Sequence, residues 1–261
     1  MKKVLIKIFG SLTIATIAVF GFGILVNAID TTEVINNYNV NIVIDKDASI
    51  SVTETIEYDF GQNSKHGIFR NIPYKYKARG GNYKLEIDEV DVTDENGLSY
   101  IFEISNSSND KVIKIGDANK YITGVKTYVI SYQVDKAFNY FDNFDEIYWN
   151  AIGTEWSVPI LKGEVSVVLP DTFDTADVKE TCYFGYADSD EECDGEFVLN
   201  SEEKTKKATF ENFYLESFQG VTIVVGLPKD AVYEPTFFER AWDTFKSNSI
   251  LLLPVFVFLL M

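Results

Sequence analysis

Apolar and polar side chains alternate along the chain from Tyr38 onward. Val40, Ile42 and Ile44 take every second position, a period that is typical of a β-strand with one buried face. A polar stretch at 45–48 interrupts the pattern. The alternation then resumes in a second run formed by Ile50, Val52, Thr53, Ile56 and Tyr58. The two runs together predict an opening β-hairpin.

Short segments rich in β-branched and aromatic residues follow at intervals of about ten residues, a spacing typical of all-β domains. They are 82–93, 98–104, 111–115, 124–134, 145–149, 162–169, 179–184, 196–200, 206–213 and 220–226. Turn-forming residues at 79–82 and 94–97 separate some of them. Because no helical period intervenes, we predict a mainly β fold, an antiparallel β-sandwich of two packed sheets over residues 29–230. A softer break near Pro170 leaves open a second small β-unit at 171–228.

A helical period occurs near the C-terminal end. Phe237, Phe238, Ala241, Trp242 and Phe245 recur at the i, i+3 and i+4 spacing, which predicts a juxtamembrane amphipathic helix at 231–248 with an aromatic face. Pro235 stands where a proline in the first turn of a helix is tolerated. The aromatic face has two interpretations: it lies in the headgroup layer of a membrane, or it packs on the β-domain.

Residues 250–261 contain no polar side chain. As a helix they rise about 18 Å, which is less than the roughly 30 Å of a hydrocarbon core. We therefore interpret 249–261 as the truncated start of a transmembrane helix. The alternative is a buried C-terminal helix or strand, which Pro254 and the lack of an amphipathic period disfavour.

The N-terminal end has the pattern of an export signal. Lys2, Lys3 and Lys7 give a positive start, the run 8–26 is almost wholly apolar, and small residues precede Ile29. This pattern predicts a signal peptide at 1–28 and an extracytoplasmic location for residues 29–248. An uncleaved anchor is the alternative, because the apolar run approaches the length of a spanning helix.

The charge of the chain restricts its partners. The net charge is −17, and without residues 1–28, which hold three lysines and no acid, 20 basic and 40 acidic residues leave −20. Such a surface repels phosphate backbones, which argues against nucleic acid and against docking on anionic lipid. A solvated surface is the ordinary explanation, and an acidic site for cations or basic partners is the alternative.

Cys182 and Cys193 are the only cysteines of the chain and flank a polar, acidic loop. In an exported protein such a pair predicts a disulfide that closes a hairpin, with two free thiols as the alternative. Because no histidine lies nearby to complete a ligand set, we expect no metal there. No sequence motif indicates a cofactor.

His66 is the single histidine, so any imidazole-dependent mechanism has to use it. No nucleophile motif such as G-x-S-x-G accompanies it. A loop histidine that hydrogen-bonds the backbone beside a docked Ile-Phe pair is the simpler interpretation.

An aromatic and acidic segment at 140–160 contains Asp142, Asp145 and Glu146 close in sequence to Trp149 and Trp156. Paired acids beside aromatic rings suit a glycosidase cleft. Acid-rich turns beside sheet aromatics are also ordinary, and tryptophans in strands are more often core residues than sugar platforms.

Several motifs resemble one family in order and content. They are HGIFR at 66–70 with IP at 72–73, IGD at 115–117 with TG at 123–124, YVISY at 128–132, EIYWN at 146–150, and Trp156 with VPI at 158–160. From about residue 36 to 228 the chain is similar to the bacterial predicted membrane proteins of the domain-of-unknown-function family numbered 2207. Ala118 and Ser157 stand where the family pattern has proline.

This resemblance implies a signal peptide, an extracytoplasmic β-domain, and then membrane spans with a further C-terminal region. The family brings no established activity, so the resemblance implies no catalytic residue.

Three hypotheses for the function follow. The first is a non-enzymatic, membrane-anchored module that binds, senses or scaffolds at the cell envelope, with an envelope protein or a glycan as partner. Its predicted binding residues, in the loop 65–73 and the segment 140–160, are His66, Arg70, Asp142, Asp145, Trp149 and Trp156. The second is an envelope hydrolase of carbohydrate with a carboxylate pair, and the third is a passive structural domain of a membrane complex.

Overall fold

The computed structural model describes residues 32–78, 81–170, 177–193, 195–200 and 205–247. The predicted signal peptide at 1–28 and the predicted transmembrane start at 249–261 lie outside these residues. Within the described ranges, no helix is both long enough and apolar enough to cross a membrane.

Strands make up most of the described chain, as the alternating pattern predicts. They are β1 (Val34–Ile44), β2 (Ile50–Asp59), β3 (Gly67–Pro73), β4 (Lys75–Ala78), β5 (Gly81–Lys84), β6 (Glu86–Thr93), β7 (Phe102–Ser107), β8 (Asp110–Gly116), β9 (Val125–Asp135), β10 (Phe138–Tyr140), β11 (Phe144–Ile152), β12 (Ile160–Leu169), β13 (Lys179–Gly185), β14 (Glu191–Cys193), β15 (Glu196–Asn200), β16 (Thr205–Leu215) and β17 (Gly220–Pro228). A helix, α1 (Phe237–Ser247), follows them.

In the described residues these strands form sheets of seven, five, three and two strands. The seven-stranded sheet has the order β15-β16-β12-β1-β2-β9-β6, and the five-stranded sheet has the order β10-β11-β17-β13-β14. Strands β3, β8 and β7 form the three-stranded sheet, and β4 pairs with β5. The mainly β class is confirmed, but the prediction of only two sheets is wrong.

The strand pairing also departs from a wholly antiparallel arrangement. Strands β1 and β12 run parallel, with Ile35 opposite Ile160 and Ile42 opposite Val167. Parallel neighbours need a long connection between them, and here that connection contains every strand from β2 to β11. The two strands therefore join the beginning of the domain to its later half.

The predicted opening hairpin is present as β1 and β2. Ile42 lies opposite Val52 and Ile44 opposite Ile50, and all four side chains are buried. In the turn between the strands, Ala48 has a positive φ of 68°, a left-handed conformation that a tight turn requires. One face of this hairpin thus supplies part of the core.

The seven-stranded and five-stranded sheets pack on each other. The rings of Tyr132 in β9 and Trp149 in β11 lie 6.5 Å apart, and those of Phe184 in β13 and Phe213 in β16 lie 6.3 Å apart. The described strands of the segment 171–228 belong to both sheets, so this segment does not form a sheet of its own.

A buried ion pair lies in this core. Glu54 of β2 and Arg70 of β3 are 0% and 1% exposed. The Arg70 Nε atom donates to Oε2 of Glu54 at 2.7 Å, and Nη2 donates to Oε1 at 2.9 Å. This bidentate geometry is the strongest that an arginine and a carboxylate form, and it ties the three-stranded sheet to the seven-stranded one.

Two tyrosines complete the coordination of Glu54. The Tyr38 hydroxyl donates to Oε2 at 2.6 Å, and the Tyr132 hydroxyl donates to Oε1 at 2.6 Å. Burial raises the pKa of both phenols well above the ordinary value, with the Glu54 charge adding to the effect. Both tyrosines therefore remain protonated donors, and every oxygen of this buried carboxylate is hydrogen-bonded.

The position of Arg70 corrects the prediction that it belongs to an exposed loop. Burial alone lowers the pKa of Arg70, but the Glu54 charge raises it well above the ordinary value, so the guanidinium stays charged in the core. Its remaining N–H groups donate to the carbonyl oxygens of Asn71 and Ala151. A Cβ atom at Gly153 would lie 2.9 Å from Nη1 of Arg70, so glycine there leaves room for the guanidinium.

Helix α1 begins with a capping box. The Thr236 hydroxyl accepts a hydrogen bond from the Glu239 N–H at 3.3 Å, and a Glu239 carboxylate oxygen accepts one from the Thr236 N–H at 2.7 Å. This reciprocal pair satisfies two N–H groups that a helix start leaves unpaired. Thr236 is therefore the N-cap, and Pro235 precedes the helix and does not occupy its first turn.

The ion pair generates a stability prediction. We expect Arg70→Met to lower the free energy of unfolding by about 3–5 kcal/mol, because it leaves the Glu54 charge buried without its counter-charge. The double variant Glu54→Gln/Arg70→Met should recover part of this loss, since Gln keeps hydrogen bonds to both tyrosines without a charge. Urea denaturation measures both values. A loss below about 1 kcal/mol for Arg70→Met would show that the pair is not needed to hold the sheets together.

Candidate functional site

His66 lies on the surface, just before β3. Its Nδ1 atom is 2.8 Å from the carbonyl oxygen of Lys120 and 3.3 Å from that of Asp117, so the loop histidine bonds the backbone as the simpler interpretation holds. Its ring lies 4.2 Å from the ring of Tyr121. In the adjacent Ile-Phe pair only Ile68 is docked, because Phe69 is 59% exposed.

A shallow concavity of about 350 Å³ adjoins His66 and is lined mainly by β3 and β8. Gly67 and Gly116 lie opposite each other there, with φ values of 147° and 132°. A Cβ atom at either position would collide with the backbone of the other strand. The glycines of the HGIFR and IGD motifs are thus required for the pairing of β3 with β8.

The two tryptophans of the segment 140–160 belong to the core. Trp149 is 2% exposed and Trp156 is 6% exposed. The ring of Trp156 packs edge-on against Tyr38, with 5.7 Å between ring centroids. Neither indole therefore offers a surface to a ligand, and the glycosidase interpretation loses its aromatic platform at these positions.

The acidic residues of this segment differ in environment. Asp142 is exposed in the turn before β11, whereas the Asp145 side chain is fully buried. The Lys229 ammonium donates to Oδ1 of Asp145 at 2.7 Å and also to a carboxylate oxygen of Glu234. Glu234 in turn pairs with Arg240 of α1 at 3.3 Å. A chain of alternating charges thus links β11 to the first turn of the helix.

Burial raises the pKa of Asp145, although the hydrogen bond and charge of Lys229 act in the opposite direction. Burial also acts to lower the pKa of Lys229, but its two carboxylate partners raise it above the ordinary value. Asp145 is therefore held by a structural ion pair with Lys229.

The structure does not bring the six predicted binding residues together on one surface. The segments 65–73 and 140–160 do meet, but they meet inside the molecule, where Nη2 of Arg70 lies 3.5 Å from the carbonyl oxygen of Ala151. Only His66 and Asp142 are exposed, while the other four side chains are buried.

The exposed side of the segment 140–160 carries different residues. In β11, Ile147, Trp149 and Ala151 are buried, and the alternation turns Tyr148 and Asn150 to the opposite face. Tyr148 is 52% exposed. Tyr148 is not among the predicted binding residues, although the same period of two that predicts the strand assigns it to the outer face.

The outer face of the five-stranded sheet contains a groove. Glu146 of β11 and Lys179 of β13 both lie opposite Gly226 of β17, so the centre of this row has no side chain. The groove has a volume of about 550 Å³, and its lining includes Asn143, Phe144, Glu146, Thr181, Val224 and Pro228. This groove is the candidate binding site.

Cys182 and Cys193 lie opposite each other where β13 pairs with β14. Their Cα atoms are 4.9 Å apart, within the range that a disulfide spans, and their sulfur atoms lie at disulfide distance. The pair closes the edge of the five-stranded sheet. In the described part of the chain, no group of three or more His, Cys, Asp or Glu residues is arranged to hold a metal ion.

The sequence profile of one family matches residues 34–227, and its description is "Predicted membrane protein (DUF2207) N-terminal domain". The chain belongs to the DUF2207 family. The match covers strands β1 to β16 and all but the last residue of β17. No curated protein matches the chain.

Solved structures resemble the DUF2207 domain only distantly. An M1 zinc metallopeptidase from Deinococcus radiodurans has 11% identity and a TM-score of 0.44, over 75% of this chain and 42% of that one. Leukotriene A4 hydrolase from Saccharomyces cerevisiae has 13% identity and a TM-score of 0.42, over 75% of this chain and 29% of that one. The DUF2207 chain thus spans less than half of either structure.

The Asp145–Lys229 pair of the DUF2207 domain generates a pH-dependent prediction. We expect Lys229→Met to lower the free energy of unfolding by about 2 kcal/mol at neutral pH, less than for a fully buried pair because Lys229 is partly exposed. The pKa of Asp145 is raised on folding. As the pH falls, the Asp145 carboxyl therefore becomes protonated in the folded state at a higher pH than in the unfolded state. Protonation removes the buried charge that Lys229 neutralises. The loss of free energy of unfolding in Lys229→Met should therefore shrink as the pH falls toward the ordinary aspartate pKa of about 4.

Urea denaturation at a series of pH values measures this dependence. Lys114→Met is the matched control, because its partner Glu103 is 3.6 Å away and both side chains are largely exposed. A loss in Lys229→Met that stays constant or grows at lower pH would contradict the assignment.

Proposed function

We propose that the chain is a membrane-anchored, extracytoplasmic module that binds a ligand or partner at the cell envelope and does not catalyse a reaction. The exposure of the aromatic side chains of α1, immediately after the β-domain, is the observation that supports it most. Membership of a family of predicted membrane proteins agrees with this function.

The aromatic side chains at the start of α1 are largely exposed. Phe237 is 74% exposed, Phe238 is 81% exposed and Trp242 is 57% exposed. Of the two interpretations of this face, the exposure of Phe237 and Phe238 favours the headgroup layer. An exposed aromatic face on an amphipathic helix suits the headgroup layer of a bilayer, where rings of this kind are enriched.

The helix is also held in a fixed relation to the β-domain. The Tyr233 hydroxyl donates to the Glu239 carboxylate at 2.8 Å, and Arg240 pairs with Glu234, which Lys229 connects to β11. The apolar residues 250–261 follow the helix in sequence. In the proposal, these apolar residues enter the bilayer and α1 lies along its surface, so that the β-domain stands outside the membrane.

The binding role is supported by the groove on the five-stranded sheet. Its volume of about 550 Å³ is within the range of ligand sites, and its rim combines an aromatic ring at Phe144 with polar groups at Asn143 and Glu146. The hydrolase alternative loses one of its predicted acids, because the Asp145 carboxylate is engaged by Lys229.

Tryptophan fluorescence tests the membrane contact. Of the three tryptophans, Trp149 and Trp156 are buried and Trp242 is exposed. In the full chain reconstituted into phosphatidylcholine liposomes, we expect nitroxide-labelled lipid with the label near the glycerol backbone to quench Trp242, and the bilayer to shield Trp242 from aqueous iodide.

Trp242→Phe is the control, because it keeps a ring on the helix and should remove the lipid-quenched signal. If Trp242 remains open to iodide and unaffected by labelled lipid, the helix does not lie in the headgroup layer.

A further inference from the structure

The outer face of the five-stranded sheet contains exposed side chains, Tyr148 and Lys179, among residues that are partly exposed. Its exposed rows run across β11, β17 and β13, because these strands pair in that order. One row contains Glu146, Gly226 and Lys179, and the next contains Tyr148, Val224 and Thr181. A third row contains Asn150, Thr222 and Tyr183.

Two aromatic side chains of β11 lie on either side of the row that contains Gly226, and Phe144 is the one that lines the groove. Phe144 is 40% exposed and lies opposite Pro228 at one end, while Tyr148 lies one row beyond Gly226 on the other side. Burial and the neighbouring groups Tyr183 and Glu146 raise the pKa of Tyr148, so its phenol remains a hydrogen-bond donor at neutral pH. Because Gly226 has no side chain, the surface of the sheet is recessed beside the two rings.

Both charged and uncharged polar groups surround the rings. Asn139 of β10 lies in the same row as Glu146 and donates to its carboxylate at 3.4 Å. Thr181 and Thr222 add hydroxyl groups that both donate and accept. A surface of rings interspersed with such groups is complementary to a ligand that has apolar faces and hydroxyl edges.

The charges of the face restrict the ligand further. The groove is lined by one ammonium group, that of Lys179, and by three carboxylates, those of Glu146, Asp177 and Glu180. The whole chain carries −17. A phosphate-rich or sulfated polymer is therefore repelled. A wholly apolar partner would leave the amide and hydroxyl groups without hydrogen bonds.

We propose that the groove around Gly226, flanked by Phe144 and Tyr148, binds a segment of uncharged glycan chain. Sugar rings stack on the two aromatic side chains, and sugar hydroxyls bond the amides, hydroxyls and Glu146. This inference rests on the proposed function, because it names the ligand class of a non-catalytic envelope module.

Titration of the full chain in nanodiscs tests the inference. Two neutral hexasaccharides, cellohexaose and chitohexaose, are titrated by calorimetry beside dextran sulfate and a lysine-rich peptide. We expect saturable binding of at least one neutral hexasaccharide and no binding of dextran sulfate. Binding of the lysine-rich peptide alone would overturn the inference in favour of an acidic groove for basic partners, and binding of none of the four would also overturn it.

Two variants locate the site. Tyr148→Ala removes an exposed ring, and Gly226→Val fills the groove, where a Cβ atom meets nothing closer than 3.7 Å. Each should weaken binding at least tenfold. Tyr214→Ala is the matched control, because Tyr214 is a 59% exposed tyrosine on β16 of the other large sheet. Equal binding by Tyr148→Ala and the native chain would overturn the inference. If Gly226→Val does not fold, the result for Tyr148→Ala alone is the test.

The same nanodiscs separate this inference from the proposed function. Lipid quenching of Trp242 reports the membrane contact independently of the groove. Quenching without hexasaccharide binding would overturn the glycan inference alone, whereas loss of quenching would overturn the membrane arrangement and leave the binding data to stand.

Discussion

The contact between Glu54 and Arg70 determines how the sheets of this domain are joined. Glu54 lies near the centre of the seven-stranded sheet, and Arg70 reaches it from the three-stranded sheet while also donating to Ala151 of the five-stranded one. A charge pair withdrawn from water requires good geometry and complete hydrogen bonding to be tolerated. Two tyrosines supply the remaining bonds to Glu54, so three sheets meet at the Glu54–Arg70 pair.

This constraint also fixes strand register. A slip of β2 by one residue would turn Glu54 to solvent and bring Thr53 or Thr55 inward, because side chains alternate between faces. The buried Arg70 would then have no counter-charge. An apolar core tolerates small changes of packing, whereas a bidentate pair with two phenol donors permits one alignment of β1, β2, β3 and β9.

The hydrophobic period predicts most strands because it reports directly which face is buried, as Ile50, Val52 and Ile56 show in β2. It fails where a charged residue occupies an inward position. Arg70 lies between Ile68 and Ile72 on the buried face of β3, and its charge made this strand look like an exposed loop. Glu54 also occupies an inward position, in β2, where its apolar neighbours still predict the strand. A charge at an inward position indicates a buried partner, but the period does not identify that partner, since it lies on another sheet.

The groove could not be predicted as a site either, because the local pattern does not show which strands pair. The two tryptophans are predicted as binding residues because their rings lie close in sequence to acidic residues, yet the size of an indole also makes it a good core residue. Tyr148 lies between Ile147 and Trp149 and faces outward. The gap beside it comes from Gly226 on β17, and the pairing of β11 with β17 is a long-range contact that the local pattern does not specify.

The groove and the helix are close along the chain. Pro228 lines the groove, and the next residue, Lys229, begins the series of ion pairs that reaches Arg240 in α1. A ligand bound near Pro228 would therefore sit next to the connection that positions the helix.

The parallel pairing of β1 with β12 has a consequence for how the protein is made. Asn41 and Ser166 touch across these strands although 125 residues separate them. As the chain emerges from the ribosome at roughly 5–20 residues per second, β1 can pair with β2 almost at once. Its other edge stays open for several seconds more, until β12 has been synthesised. The newborn chain therefore carries an unpaired apolar strand edge, and only a segment from its second half can close it.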